Sequence, residues 1–159
     1  MISADVKFNA RMNDNLSIEA PSMWGDLAVK IKNGRLQNFE PMQNMSNFLF
    51  KKRDFTDVAF AEIDSHFFLL GSDLDINLME IQSTVLSLFV HGRYSFTDST
   101  SLSVQLPLSN LKKRDKDYKP KNVGVDAKVG PSVFLHVYKD DKGKIAIAYD
   151  PFKKYAKQK

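Results

Sequence analysis

No cysteine occurs anywhere in the 159 residues. That excludes disulfides, thiolate metal ligands and cysteine nucleophiles together, and it fits any redox compartment. Histidine is almost as scarce. His66, His91 and His136 lie in three separate segments, and none has a second histidine at an H-x-x-x-H spacing. The seven glycines form neither a G-x-G-x-x-G nor a G-K-[ST] run that could cradle phosphate. Serines in "DSTS" (98–101) and "PLSNL" (107–111) have no nucleophile elbow around them. Asp73 and Asp75 share a strand face, but two acids at i, i+2 beside a turn read as a solvated strand edge rather than an acid–base pair. The expectation is a non-enzymatic chain with no cofactor and no metal. Long hydrophobic runs are also missing. The longest, such as "FFLL" at 67–70, fall far short of the about 20 apolar residues of a membrane-spanning helix. "MISADVKFNARMN" has neither the basic n-region nor the apolar h-region of a signal peptide.

What is present is ordinary in amount and uneven in placement. The chain is 43% hydrophobic and 26% charged, as globular domains are, and its length is that of one domain. The net charge is +4, and four of the 23 basic residues lie in the last seven, "KKYAKQK". Residues 1–152 therefore hold 19 basic and 19 acidic groups and read as one neutral domain, followed by a basic, disordered tail at 153–159. Within the domain, "KKRDKDYKPK" (112–121) carries six bases and two acids. A nucleic-acid binder displays a basic field across a face. Positive charge confined to one loop and one tail argues against nucleic acid and leaves two readings, solvated lysines or contact with anionic head groups or a partner. Lys153, Lys154, Lys157 and Lys159 are the candidates for that contact.

Period-two alternation recurs along the chain. Ala4, Val6, Phe8, Ala10 and Met12 alternate with Asp5, Lys7, Asn9 and Arg11. Leu27, Val29 and Ile31 form a second apolar set, and Leu102, Val104, Leu106 and Leu108 a third. "SVFLHVY" and "KIAIAY" are joined by "KDDKG", a hairpin loop. "VLSLFVHGRYSF" (85–96) has apolar residues in both phases and reads as a central strand covered partly on both sides. In "DLDINLMEI" (73–81) the phase changes near Leu78, which a β-bulge would reconcile. Asn33-Gly34 is a type I′ hairpin signal that should fold "LAVKI" back onto "RLQNF". After Pro41, Met42, Met45, Phe48 and Leu49 form one apolar stripe, so a short amphipathic helix is expected over 41–50. The fold expected is mainly β: a curved, largely antiparallel sheet of seven to nine strands, a roll or groove, with one main short helix.

The segments "GDLAVKIKNGRLQNFEPM" (25–42), "FTDVAFAEIDSHFFLLGSDLDINLMEIQSTVLSLFVHGRYSF" (55–96), "VQLPLSNL" (104–111) and "DAKVGPSVFLHVYKDDKGKIAIAYDPFKK" (126–154) resemble the C-terminal region of the AsmA-like proteins of the Gram-negative envelope. The likeness rests on an order of features: a strand, an N-G turn, F-x-P before a helix, then M-x-I-x-S. The resemblance implies a β-rich periplasmic groove in a protein anchored in the inner membrane, engaged in outer-membrane assembly or bridge-like lipid transport. It also implies phospholipid or another envelope lipid as partner. The chain is far shorter than a whole family member, so the expectation is the C-terminal piece of a longer protein.

One helix of this length is little cover for so many one-sided strands. Either the sheet closes on itself, or part of its apolar face meets acyl chains. Leu86, Leu88, Val90, Leu102, Val104, Leu106 and Leu108 are the candidate lipid-contacting residues, with Met42, Met45, Phe48 and Leu49 capping the groove. The alternative is a structural β module that contacts other envelope proteins without lipid. A carbohydrate-binding platform is weaker, because the only tryptophan is Trp24 and the five tyrosines are scattered.

Overall fold

The computed structural model describes residues 1–38, 53–115 and 117–156. Among the described residues alternation becomes ten strands: β1 (Ile2–Asn9), β2 (Trp24–Ile31), β3 (Arg35–Gln37), β4 (Asp57–Ala59), β5 (Ile63–Leu70), β6 (Asp73–Gln82), β7 (Ser87–Ser95), β8 (Ser101–Pro107), β9 (Ser132–Lys139) and β10 (Ile145–Tyr149). Eight of them form one antiparallel sheet in the order β1-β2-β5-β6-β7-β8-β9-β10. The sheet is open, because β1 and β10 end the order without pairing to each other. Strands β3 and β4 pair only with each other in a small second ribbon. The helix expected over 41–50, with Met42, Met45, Phe48 and Leu49, lies outside the described residues.

The phase change in β6 is a bulge. Ile76 pairs with Gly92 and Met79 with Val90, so three steps on β6 oppose two on β7. The extra residue returns Met79 and Ile81 to the face that Leu74 and Ile76 occupy. Central β7 is covered on both sides as expected, with Leu88 and Phe89 both buried. The expected hairpin over 132–149 also forms, with Ile145 opposite Lys139 and Tyr149 opposite Leu135. Asp140 holds its turn by accepting the backbone N–H groups of Lys142 and Lys144.

Asn33-Gly34 does something other than make the expected hairpin. The two sides of β2 are taken by β1 and β5, and "RLQ" pairs with β4 instead. Asn33 alone takes a positive φ of 54°, whereas a type I′ turn needs both residues there. Gly34 leaves room for the Phe60 ring: a Cβ would fall 2.0 Å from it and oblige the ring to turn. The turn therefore throws the chain out of the sheet, and the chain returns through β4 before β5 pairs beside β2.

Two strand ends also differ from the alternation. Ladder β1 stops at Asn9, and Met12 makes only an isolated bridge to Ile18. Strand β8 stops at Pro107, so Leu108 begins a short 3-10 turn (Leu108–Leu111) and is 40% exposed. Proline has no N–H to continue a ladder.

Candidate functional site

Register places one apolar row across the whole sheet. Val6 pairs with Leu27, Leu27 with Phe67, and Phe67 with Ile76. Ile76 then meets Gly92, which meets Leu102, which meets Val137, which meets Ile147. Directly opposed residues of an antiparallel ladder point to the same face, so these eight positions form one continuous line. A parallel line runs Phe8, Gly25, Leu69, Leu74 and Tyr94. The opposite face at the same end carries charged residues beside the exposed Trp24, Phe68 and Leu70. Lys30 contacts Asp64 at 2.7 Å and Glu62 at 3.4 Å, and the hydrogen bond to Asp64 raises its pKa above the usual lysine value.

The apolar face is closed in its middle and bare at its edges. Phe55 and Val58, 3% and 1% exposed, join Leu86, Leu88, Val90, Val104, Leu106 and Leu135 in the buried core. Leu36 of β3 packs against the same cluster. Backbone bonds from Thr84 N–H to Ala59 and from Ala61 N–H to Gln82 tie the β4 segment to the end of β6. Arg53 donates to the Val85 carbonyl at 2.8 Å and to that of Asn110, holding the returning chain against this end of the sheet. Burial in turn lowers the Arg53 pKa. By contrast every residue of β1 is exposed: Ile2 at 72%, Val6 at 56% and Phe8 at 52%. At the far edge Ile145 and Tyr149 are exposed as well, at 40% and 57%.

The seven lipid-contact candidates thus divide. Leu86, Leu88, Val90, Leu102, Val104 and Leu106 share the apolar face but lie in or against the closed core, and Leu108 has left the strand. The accessible part of the face is instead β1 with the half-buried residues beside it: Leu27, Val29, Phe67 and Leu69. Their alternation is legible in the sequence. That nothing among the described residues covers β1 is not, because cover comes from Phe55 and Val58, far along the chain.

Parts of the charged loop and the start of the tail are tied to the sheet, while the described lysines of both stay exposed. Buried Glu80 accepts the backbone N–H groups of Val123 and Gly124 at 2.7 and 2.8 Å. Arg114 donates to the Ser83 carbonyl and the Ser87 hydroxyl, and Tyr118 lies under its guanidinium at 4.5 Å. Burial lowers the Arg114 pKa. Asn110 completes the attachment, accepting the Ser87 N–H at 2.7 Å and donating to its carbonyl at 2.6 Å. At the start of the basic tail, expected to be loose, Lys153 and Lys154 are exposed, while Tyr155 is half-buried. Asp150 accepts the N–H groups of Lys154 and Tyr155, Tyr155 stacks on His136, and the Lys153 ammonium sits over the Phe134 ring at 4.7 Å. Lys157 and Lys159 lie outside the described residues.

The Asp73–Asp75 pair is matched by Arg93, whose Nε lies 2.9 Å from Asp75 and whose Nη1 lies 3.7 Å from Asp73. Among the described residues no three His, Asp or Glu side chains converge. No family model matches the chain, and neither a curated protein nor a solved structure matches it significantly.

Proposed function

We propose that this chain is a non-catalytic β module of a longer, inner-membrane-anchored envelope protein of the AsmA-like kind, on the periplasmic side, where it contributes to outer-membrane assembly or lipid transport. The observation that carries the reading is the apolar row through all eight strands, closed over β6 to β9 and bare at β1. An acyl chain laid along the β1, β2 and β5 part of that face would cover Val6, Phe8, Leu27 and Phe67. Burying apolar area stabilises by about 25 cal/mol per Å², so a chain lying along several strands gains enough to be held. The lysines at 153, 154, 157 and 159 supply contact with anionic head groups, each worth about 1 kcal/mol near such a surface.

The test compares the two parts of the face. The purified protein is expected to carry phospholipid detectable by mass spectrometry. Phe8→Asp should keep the melting temperature and lose the lipid, because its site is open. Val104→Asp should unfold the domain, because an unpaired buried charge costs several kcal/mol. Absence of lipid from the parent protein, or undiminished lipid in Phe8→Asp, would overturn the lipid reading.

A further inference from the structure

We propose that β1 is a dimer interface, at which two copies of this chain pair their β1 strands antiparallel about a two-fold axis through Val6. The argument begins with hydrogen bonds. Met1 and Lys32 exchange both of theirs, the Met1 ammonium donating at 3.0 Å and the Lys32 N–H at 2.9 Å. Such exchange alternates along an antiparallel ladder. Ser3, Asp5, Lys7 and Asn9 therefore turn their backbone groups toward β2, in register with Lys30, Ala28, Asp26 and Trp24. Ile2, Ala4, Val6 and Phe8 turn theirs outward, to an edge that no strand among the described residues takes.

Only a partner strand that opposes even residue to even residue can use those groups, and charge selects among the registers. Centred on Asp5 or on Lys7, the pairing would set like charges face to face, which is unfavourable. Centred on Val6, it opposes Val6 to Val6 and Ala4 to Phe8, and sets Asp5 of each copy against Lys7 of the other. These two contacts fall at non-hydrogen-bonded positions, where opposed side chains come closest. Neither Asp5 nor Lys7 has an ion pair among the described residues of its own chain, and both are exposed.

The axis stands perpendicular to the sheet, so both apolar faces lie on the same side. The rows through Val6 and Phe8 then continue from one copy into the other across a joined sheet. An isologous contact closes on itself, and it removes the long exposed edge, a site of uncontrolled strand pairing. The inference rests on the β1 edge and stands whether or not the face carries lipid.

The chain has no cysteine, so single ones report position cleanly. Val6→Cys should form a disulfide-linked dimer on mild oxidation, because hydrogen-bonded partners sit about 5.5 Å apart at Cα, within disulfide range. Phe8→Cys should not, because the two copies of residue 8 lie four residues apart along the ladder, about 13 Å. Sedimentation velocity up to about 1 mM chain, the weak end of measurable association, should show a monomer–dimer equilibrium. Asp5→Lys and Lys7→Asp should each weaken it about tenfold, and the double swap should restore it. Asp5→Lys faces Ala28 within its own chain and leaves the fold alone. Lys7→Asp faces Asp26, so its melting temperature is read alongside. A monomer at every concentration, equal crosslinking at position 8, no rescue by the double swap, or open-ended ladders from β1 meeting β10 would each overturn the proposal.

Discussion

The Tyr155 ring lies flat on the His136 imidazole, with centroids 3.5 Å apart and planes within 4°. His136 projects from the face of β9 opposite the core, and its Nε2 also contacts the Ser101 hydroxyl at 3.0 Å. The stack anchors residues 150–156 to the sheet. Tyr155→Ala should lower stability by about 1 kcal/mol, the usual worth of an aromatic pair beyond its area. Thermal melts check it, and an unchanged melting temperature would mean the segment only rests on β9.

Burial lowers the pKa of His136, with Asp150 pulling it up and Lys154 pushing it down more weakly, and burial lowers that of His91 as well. The folded state therefore binds fewer protons than the unfolded state where histidine titrates. The stability that neutral imidazole contributes is complete above the unfolded value of about 6.5 and is lost as pH falls through the lower folded values. Melting temperature should decline from pH 7 toward pH 5, and His136→Gln should flatten part of that decline.

Glu80 of β6 ties the loop after β8 to the sheet by accepting two of its backbone N–H groups, and the neighbouring Gln82 side-chain amide donates to the same carboxylate at 2.8 Å. Hydrogen bonds to a charged acceptor contribute about 1.5–3 kcal/mol each. Glu80→Ala should speed amide exchange at Val123 and Gly124 and open residues 112–130 to protease, well before the sheet melts. Protection as strong as in the parent would show that Arg114 and Asn110 hold the loop without it.

Gly92 stands beside the bulge with φ 126°, and a Cβ there would meet the Ser101 carbonyl oxygen at 2.5 Å. The obstacle is backbone of the neighbouring strand, which cannot turn aside. Gly92→Ala should cost about 1–3 kcal/mol through the φ strain alone, and more through the contact. Gly34→Ala should cost less, since the Phe60 ring it meets can rotate away. Denaturant melts of the two variants give the ranking.

Much of the sheet was legible in the order of residues. A period of two is local, so Val6, Leu27, Val104 and Val137 declare their face without knowing their neighbours. The break at Leu78 was legible for the same reason, because one extra residue inverts everything after it. The hairpin over 132–149 carries its own turn, with Asp140 and Gly143 in place.

Other features were decided only in three dimensions. Asn33-Gly34 has the residues of a tight hairpin, yet β5 competes for the free side of β2 with eight paired positions, and "RLQ" offers three. Longer pairing wins over local turn preference. The charged loop reads as solvated because its neighbours in sequence are charged, but its partners Glu80 and Ser87 come from β6 and β7, more than 20 residues away. Alternation tells which residues are apolar and which face they share. Whether that face is sealed, as at Leu88, or bare, as at Val6, depends on where Phe55 and Val58 land, and tertiary packing alone decides that.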